Sequence, residues 1–352
     1  MITKNPLKKT PFFVAEISAN HNGSLLHAKK LIKIAKKYGA DAVKLQTYTP
    51  DTLTIKSNKR DFKIKGGLWN GKTLWDLYEK AQTPFGWHKE LFDYARKLKI
   101  TCFSTPFDET AVDLLESLKC PFYKVASFEM NHIPLIKKIA KTKKPIIIST
   151  GMANINEIDL AYATARTNGA KEIILLYCVS NYPSKITDFN FNNIKIMKER
   201  YKCKIGFSDH STNNKIVAAA IAAGAEFIEK HIASDTQKKG FDLAFSLKGK
   251  EIKDYINVVN ETSLLMGKKY FYRNESEKKS MQFRRSIYAI KDIKKGEEFT
   301  KKNIKVIRPG FGIHPFYYDK LIKKKSPLFI KKEKPINKYL LSKLKIRKKI
   351  FI

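Results

Sequence analysis

The chain has 352 residues, with 69 lysines and arginines against 33 aspartates and glutamates, a formal net charge of +36. Its first 270 or so residues match the roughly 250 residues of one α/β barrel, and the rest is long enough for a small second domain. No stretch approaches the roughly 18 uninterrupted apolar residues of a membrane span, and residues 1–11 carry no apolar signal core. These features predict a cytoplasmic protein and exclude a membrane-spanning one.

The positive charge is spread over almost every predicted helix and becomes dense only in Lys323–Lys325 and Lys343–Lys349. A nucleic-acid site more often shows a clustered basic stripe with stacking aromatic side chains. The pattern therefore favours a general lysine bias over nucleic-acid binding, and a positive field also suits an anionic substrate. The 4 cysteines match no zinc spacing and are predicted to be reduced core residues.

Polar, reactive side chains end nearly every strand of a strand–helix repeat between residues 12 and 266. The strands lack a polar alternate face, which is typical of parallel strands buried on both sides. Eight such strands predict an α/β fold of the (β/α)8 TIM-barrel type, whose C-terminal strand ends meet at the catalytic face. An open doubly wound sheet is the alternative, but its glycine-rich first turn is lacking here. The residues at the predicted strand ends are Glu16, Ser18, Lys44, Gln46, Thr105, Lys124, Ser127, Ser149, Ser180, Ser208, His210, Glu229 and His231.

Four segments depart from the barrel repeat, which is predicted to occupy residues 1–268. The connection from Thr49 to His88 is unusually long and aromatic, and predicts a lid, a specificity element or a flap on the barrel mouth. Residues 269–283 are polar, as in a linker, and precede a small β-rich domain predicted at 284–342. Residues 343–352 are predicted to form a basic tail, for which attachment to a membrane surface is the minority interpretation.

His210 and His231 follow the seventh and eighth predicted strands, so the barrel places them side by side. Two imidazoles near Glu16, Asp209 and Glu229 suit a divalent cation such as Mn²⁺ or Mg²⁺, with coordination positions left open for substrate oxygens. A lone histidine is more often structural. The pairing of two histidines is what favours a metal site.

Lys44 and Lys124 stand in otherwise apolar strands, where an unpaired ammonium group is costly. They need a counter-anion, and the hydroxyl groups nearby favour a phosphate together with a carboxylate. A Schiff base on Lys124 is the rival mechanism. A structural salt bridge to Glu16 is the non-catalytic interpretation of either lysine.

Short motifs across the whole chain carry a family resemblance. They are AEISANHNGS, DAVKLQTYTPDT, STPFD, YKVASFE, ISTGM, GFSDHS, IEKH and FRRS. With them, the chain resembles the sialic acid synthase family, whose members condense phosphoenolpyruvate with an amino sugar to make nonulosonic acids. Within that family, DFKIKGGLWNGKTLWDLYEKAQTPFGWH, IYAIKDIKKGEEFT and IRPGFGIHP are most similar to the pseudaminic acid synthase group.

The resemblance implies an architecture and a reaction. A small antifreeze-protein-like (SAF-type) domain would follow the barrel, and two chains would form a domain-swapped homodimer. The reaction would join phosphoenolpyruvate, water and 2,4-diacetamido-2,4,6-trideoxy-β-L-altropyranose into pseudaminic acid, with release of phosphate by C–O cleavage. No organic cofactor is required.

The resemblance also implies roles for individual residues. His210 and His231 would bind the metal, and Glu16 and Glu229 are the candidate acid/base carboxylates. The phosphoenolpyruvate contacts would be Lys44, Thr105, Lys124, Ser127, Ser180 and Ser208, with Ser149 added by its strand-end position. The sugar contacts would be Gln46, Tyr182, Asp242 and Arg285, the last reaching into the partner's barrel.

Two alternatives stay open. Synthesis of N-acetylneuraminate or legionaminate would use the same catalytic residues with a different pocket wall, and the sequence departs from the family pattern on the sugar side at IASDT, CVSNYP and Leu243. A polyanion-binding module that uses the barrel as a scaffold is the alternative from a different class.

Overall fold

A closed barrel of eight parallel strands forms the larger part of the computed structural model, which describes residues 11–268 and 270–347. The strands follow one another in chain order around the barrel, and the eighth pairs back with the first. The predicted TIM barrel is confirmed, and the open doubly wound sheet is excluded. The barrel strands are β1 (Phe12–Glu16), β2 (Ala42–Thr47), β3 (Thr101–Pro106), β4 (Tyr123–Val125), β5 (Ile146–Ser149), β6 (Ile173–Cys178), β7 (Lys204–Asp209) and β8 (Phe227–Ala233), and the short strand β9 (Leu247–Lys248) pairs in parallel with the end of β8.

Helices cover the outside of this barrel. In the first helix, α1 (Leu25–Tyr38), Ser24 caps the first turn by accepting a hydrogen bond from the backbone of His27, and Gly39 ends the helix at a φ of 95° that favours glycine. The apolar spacing that predicts this helix also groups Leu26 with its buried face, yet Leu26 is 78% exposed. The helices of this unit are α1 (Leu25–Tyr38), α2 (Pro50–Leu53), α3 (Leu74–Ala81), α4 (Phe85–Lys97), α5 (Glu109–Ser117), α6 (Ile133–Lys141), α7 (Ile155–Thr167), α8 (Asn192–Tyr201), α9 (Lys215–Ala222) and α10 (Lys250–Leu265).

The connection between β2 and β3 contains α2, α3 and the start of α4. Its C-terminal end is fastened to the barrel by two buried imidazoles. Nε2 of His88 lies 2.8 Å from the hydroxyl of Thr47, and Nε2 of His21 lies 3.2 Å from the hydroxyl of Thr83. Burial lowers the pKa of His21 to about 4, so this anchor is neutral at physiological pH. The connection is thus held at the catalytic end of β2.

The chain divides into two compact units, Met1–Gly267 and Lys268–Ile352. In the second unit, β10 (Ser286–Ala289) pairs antiparallel with β11 (Ile304–Ile307) around a small apolar core, which confirms the predicted β-rich domain. The predicted linker contains a short helix, α11 (Glu275–Ser280), and α12 (Tyr318–Leu321) and α13 (Lys338–Lys343) follow the strands. The end of the predicted basic tail, 348–352, lies outside the described residues, as do residues 1–10. No helix in the described part of the chain is long and apolar enough to cross a bilayer.

Candidate active site

The floor of the barrel mouth is an ion cluster built on three neighbouring strands. Glu16 on β1 and Lys44 on β2 are paired in register, and Nζ of Lys44 lies 2.6 Å from Oε2 of Glu16. The same ammonium group lies 3.6 Å from Oε1 of Glu229 on β8 and donates a hydrogen bond of 3.1 Å to Thr105. Gln46 donates a hydrogen bond of 3.2 Å to Oε1 of Glu16. One lysine is therefore shared between two buried carboxyl groups.

The two glutamates differ in their electrostatics although both are buried. Burial by itself raises the pKa of a carboxyl group, and it does so for Glu16. At Glu229 the positive charges of Lys124 and Lys44 outweigh burial and lower the pKa to about 2. Glu229 is thus an ionised anchor for both lysines. Glu16 is the carboxyl group better suited to exchange a proton near neutral pH.

Lys124 is the second cation of the floor, and it is less tightly paired than Lys44. Its Nζ lies 4.0 Å from Oε1 of Glu229 and donates a hydrogen bond of 3.2 Å to the backbone oxygen of Val125. Burial lowers its pKa. Ser208 donates a hydrogen bond of 3.1 Å to the same Glu229 oxygen. Among the described residues, one carboxylate oxygen comes within 4.0 Å of this ammonium group, which leaves the group available to a bound anion.

His210 and His231 lie side by side, with ring centroids 5.5 Å apart. Nδ1 of His210 donates to the backbone oxygen of Val179 at 3.1 Å, and Nδ1 of His231 lies 3.1 Å from the hydroxyl of Ser18 and 3.6 Å from Oδ2 of Asp242. Each ring therefore keeps the lone pair of Nε2 for another ligand. Burial lowers the pKa of His210 to about 3, so this ring is neutral, as a metal ligand must be.

A divalent cation fits this pair as an open site. Among residues 11–268 and 270–347, no group of three or more His, Cys, Asp and Glu side chains is placed to hold an ion. Asp209, expected from the sequence to lie near the metal, instead contacts Lys230 at 3.3 Å and accepts a hydrogen bond from Tyr255. Side chains alternate along a strand, so Asp209 points away from the face on which Ser208 lies. Two imidazoles would thus leave the other coordination positions to water and substrate.

Hydroxyl groups from strands β4 to β6 surround Gly151, which follows β5. Ser127 accepts a hydrogen bond of 3.2 Å from the backbone nitrogen of Gly151 and lies 3.1 Å from the sulfur of Cys178. A Cβ atom at Gly151 would lie 2.2 Å from the hydroxyl of Ser180. The glycine therefore lets the backbone approach these hydroxyls closely.

These groups open into one cavity of about 430 Å³, within the usual size range of small-molecule sites. Glu16, Thr105 and Ser180 lie behind its surface, where Glu16 and Thr105 contact Lys44. Arg285 is exposed and belongs to the second unit. The predicted site residues that line the cavity are Lys44, Gln46, Lys124, Ser127, Ser149, Tyr182, Ser208, His210, Glu229, His231 and Asp242.

Several residues that line the cavity were missed at the sequence level. Glu129 has its pKa raised to about 7 by burial, and it lies close enough to Lys124 for that charge to oppose the rise. Its position one turn past β4, within YKVASFE, was the available signal. Trp69 and Tyr78 come from the β2–β3 connection, whose aromatic content was noted as a whole.

Comparison with known sequences assigns the family. A profile of the NeuB family matches residues 31–270, and a SAF domain profile matches residues 284–338. This chain belongs to the NeuB family. The resemblance to the sialic acid synthases and the C-terminal SAF domain are confirmed.

Members of the NeuB family align with almost the entire chain. The pseudaminic acid synthase of Campylobacter jejuni serotype O:2 is 44% identical over 323 residues, which cover 92% of this chain and 94% of that protein. The N,N'-diacetyllegionaminic acid synthase of the same strain is 38% identical, over 90% of this chain and 96% of that protein. A crystal structure of N-acetylneuraminic acid synthetase from Leptospira borgpetersenii, in complex with citrate, matches with a TM-score of 0.70 at 28% identity, covering 78% of this chain and 91% of that one.

Proposed function

We propose that this protein is a pseudaminic acid synthase, a transferase that condenses phosphoenolpyruvate with 2,4-diacetamido-2,4,6-trideoxy-β-L-altropyranose. The observation that carries the proposal is the 44% identity to a pseudaminic acid synthase over 92% of the chain. The cavity supports it with two buried lysines beside a pair of adjacent histidines. In the reaction, C3 of phosphoenolpyruvate bonds to the aldehyde carbon of the open-chain sugar, water adds at C2, and the C2–O bond to phosphate breaks.

The floor of the cavity provides an anion clamp for phosphoenolpyruvate. Lys44 and Lys124 supply the charge, and Ser127, Ser149 and Ser208 supply hydroxyl groups at the cavity surface, with the proposed contacts Thr105 and Ser180 just behind it. Lys124 has the weaker protein partner, so it gains most from a bound phosphate or carboxylate. Although a lowered pKa also suits a Schiff-base lysine, phosphoenolpyruvate is an enol phosphate with no aldehyde or ketone group, and the sugar aldehyde is proposed to react at the histidine pair.

The sugar end of the cavity lies at the histidine pair. Synthases of the NeuB family are generally metal-dependent, and His210 and His231 would hold the ion through Nε2. Bound Mn²⁺ or Mg²⁺ supplies Lewis-acid polarisation of the sugar aldehyde. Gln46, Tyr182 and Asp242 are the proposed sugar contacts. Glu16 is the proposed group that exchanges the proton of the attacking water, because Glu229 stays ionised between two lysines.

The proposed sugar is chosen from the sequence identities between this chain and the two Campylobacter enzymes. The pseudaminic acid synthase is 44% identical and the legionaminic acid synthase 38%, each over at least nine-tenths of this chain. Legionaminate synthesis is therefore the second candidate. A polyanion-binding module would need neither the adjacent histidines nor a buried lysine shared between two glutamates.

Domain limits and assembly complete the proposal. We place the barrel at 1–268, a linker at 269–283, the SAF-type domain at 284–342 and a basic tail at 343–352. Arg285, which is exposed just before β10, would contact the sugar's acylamino group across a domain-swapped homodimer. A cytoplasmic location agrees with phosphoenolpyruvate as the substrate.

The test is direct synthesis. Purified protein is incubated with phosphoenolpyruvate, Mn²⁺ and each of three sugars: the 2,4-diacetamido-2,4,6-trideoxy sugars that lead to pseudaminate and legionaminate, and N-acetylmannosamine. Product mass and phosphate release are followed together. The pseudaminate precursor should give the highest kcat/KM. A higher value with either of the other sugars would refute the proposal, as would phosphate release without a nonulosonic acid.

A further inference from the structure

One side of the active-site cavity is lined only by apolar and aromatic side chains of the β2–β3 connection. We call Ile64, Trp69, Leu74, Leu77 and Tyr78 the apolar wall. The connection carries charged side chains along most of its length, yet none of its described charged residues lines this cavity. The opposite side is the ion cluster of the barrel floor. The cavity therefore has a charged half and an apolar half.

The apolar wall is fastened to the loop that follows β8. Nε1 of Trp69 donates a hydrogen bond of 3.2 Å to the backbone oxygen of Phe241, which precedes the proposed sugar contact Asp242. The ammonium group of Lys72 lies 4.9 Å from the centre of the Phe241 ring. At the other end, the ring of Tyr78 packs against Tyr48 at 5.9 Å. The wall thus has fixed attachments on both sides of the cavity.

A chain of aromatic contacts connects this wall to the histidine pair. The Trp69 ring lies 5.8 Å from Tyr182, and the Tyr182 ring lies 4.5 Å from His210. One side chain therefore separates the wall from the proposed metal ligands. A sugar whose aldehyde carbon reacts beside His210 can therefore extend its carbon chain past Tyr182 to the wall within the same cavity.

We propose that the apolar wall is the specificity element of this enzyme and that it receives the C6 methyl group of a 6-deoxy sugar. This inference rests on the proposed function, because it places C1 of the sugar at the histidine pair. The side chains of Ile64, Leu74 and Leu77 gain free energy by covering a methyl group, whereas a hydroxyl group placed against them loses its water and receives no hydrogen bond from them. A C6 phosphate is excluded more strongly, because no described lysine or arginine faces the cavity from this side.

The experiment compares two leucines of the same segment. Leu74 lines the active-site cavity, whereas Leu68 is 46% exposed and lines a separate cavity. Leu74→Gln and its matched control Leu68→Gln are assayed with the 6-deoxy sugar and with its 6-hydroxy analogue. The KM for phosphoenolpyruvate is measured in parallel, and each sugar is titrated calorimetrically into each protein.

Wild-type protein should prefer the 6-deoxy sugar by about 10- to 100-fold in kcat/KM, which is the usual discrimination of an apolar pocket against an added hydroxyl. Leu74→Gln should reduce this ratio at least tenfold by lowering kcat/KM for the 6-deoxy sugar, while Leu68→Gln keeps the wild-type ratio. The KM for phosphoenolpyruvate should change less than twofold in both. An unchanged ratio in Leu74→Gln, or an equal loss with both sugars, overturns the inference.

Failure of the proposed function gives a different result. If wild-type protein forms no product from the 6-deoxy sugar, the proposed function is wrong, and the titrations then decide the inference. Tighter binding of the 6-deoxy sugar than of its analogue, lost in Leu74→Gln alone, supports the wall as a methyl-binding surface. Equal binding of both sugars to wild-type protein rejects it.

Discussion

Glu16 and Lys44 face each other across the first two strands of the barrel, and their charged groups lie 2.6 Å apart with both side chains almost fully buried. A buried ion pair contributes little net stability, but removal of one partner leaves an uncompensated charge in the interior. The pair also occupies the place where an anionic substrate needs a cation. Stability and substrate binding therefore depend on the same lysine.

The first prediction separates these two roles of Lys44. Lys44→Met should lower the free energy of unfolding by about 3 kcal/mol at pH 8, because Glu16 loses its counter-ion. Without a cation nearby, burial raises the pKa of Glu16 further. A raised folded-state pKa gives stability that is present at low pH and lost as pH rises, so the deficit should be smaller at pH 5.5. Urea denaturation of the wild type and of Lys44→Met at both pH values measures this loss of unfolding free energy.

The double variant Glu16→Gln/Lys44→Met is the control for that measurement. It has no uncompensated charge at these two positions, so it should recover most of the lost stability. Its activity should stay low for two reasons, since both the cation and the proposed proton-exchanging carboxyl group are absent, so calorimetric binding of phosphoenolpyruvate is the deciding readout and should stay weak. Recovery of phosphoenolpyruvate binding together with stability would mean that Lys44 serves the fold alone.

The second prediction concerns Gly151. In Gly151→Ala, the new methyl group would lie 2.2 Å from the hydroxyl of Ser180 and 2.9 Å from that of Ser127. These atoms are ends of rotatable side chains, so the protein should fold while the hydroxyls turn away. We expect the KM for phosphoenolpyruvate to rise at least tenfold, since each hydrogen bond to a charged group is worth about 1.5–3 kcal/mol.

Gly86→Ala is the matched control, because nothing lies within 4 Å of its Cβ position. Its KM and its melting temperature should stay near the wild-type values. A normal KM in Gly151→Ala would show that the hydroxyls around this glycine do not hold the substrate.

The barrel and most of its charged floor were predictable from the sequence, because the signals are local. Strand-end positions bring Glu16, Lys44, Lys124 and Glu229 to one face of any eight-stranded parallel barrel. The sharing of Lys44 between two glutamates, and the resulting difference in their pKa values, depend on side-chain distances that no sequence pattern contains. Asp209 is a different case, because the alternation of side chains along β7, with Ser208 facing the site, is enough to predict that Asp209 points away from it.

The residues of the apolar wall could not be predicted from the sequence for a second reason. Aromatic content indicated that the β2–β3 connection was unusual, but its composition is also strongly charged. Which of its residues face the cavity depends on the anchors at Thr83 and His88 and on the contact of Trp69 with Phe241, all of which join distant parts of the chain.

The third prediction is a pH dependence that comes from Glu129. Burial raises its pKa to about 7, so the carboxyl group is largely neutral at pH 6 and negative at pH 8. A negative charge beside Lys124 opposes the binding of an anion. The KM for phosphoenolpyruvate should therefore rise between pH 6 and pH 8. In Glu129→Gln this inflection should disappear, and an identical profile in both proteins would contradict the assignment.

The fourth prediction concerns the histidine pair. His210→Ala and His231→Ala should remain folded but lose nearly all activity, because each variant removes a proposed metal ligand. Chelation with EDTA should inactivate the wild-type protein reversibly, and isothermal titration should detect Mn²⁺ binding to the wild type but not to either variant. His132→Ala, before α6, is the control and should titrate like the wild type. Near-normal turnover of a site variant in EDTA would refute the metal site.

The fifth prediction tests whether the second unit completes the site. Arg284 and Arg285 are adjacent and both exposed, so Arg284→Ala is a matched control for Arg285→Ala. If Arg285 hydrogen-bonds the sugar's acylamino oxygen in the partner's barrel, its loss should lower kcat/KM for the sugar by about 1.5–3 kcal/mol. The KM for phosphoenolpyruvate should barely change, and Arg284→Ala should behave like the wild type.

Mixing Arg285→Ala with His210→Ala should restore part of the activity, because subunit exchange creates dimers with one intact composite site. Absence of recovery in exchanged mixtures, together with a monomeric mass by light scattering, would show that Arg285 does not act across subunits.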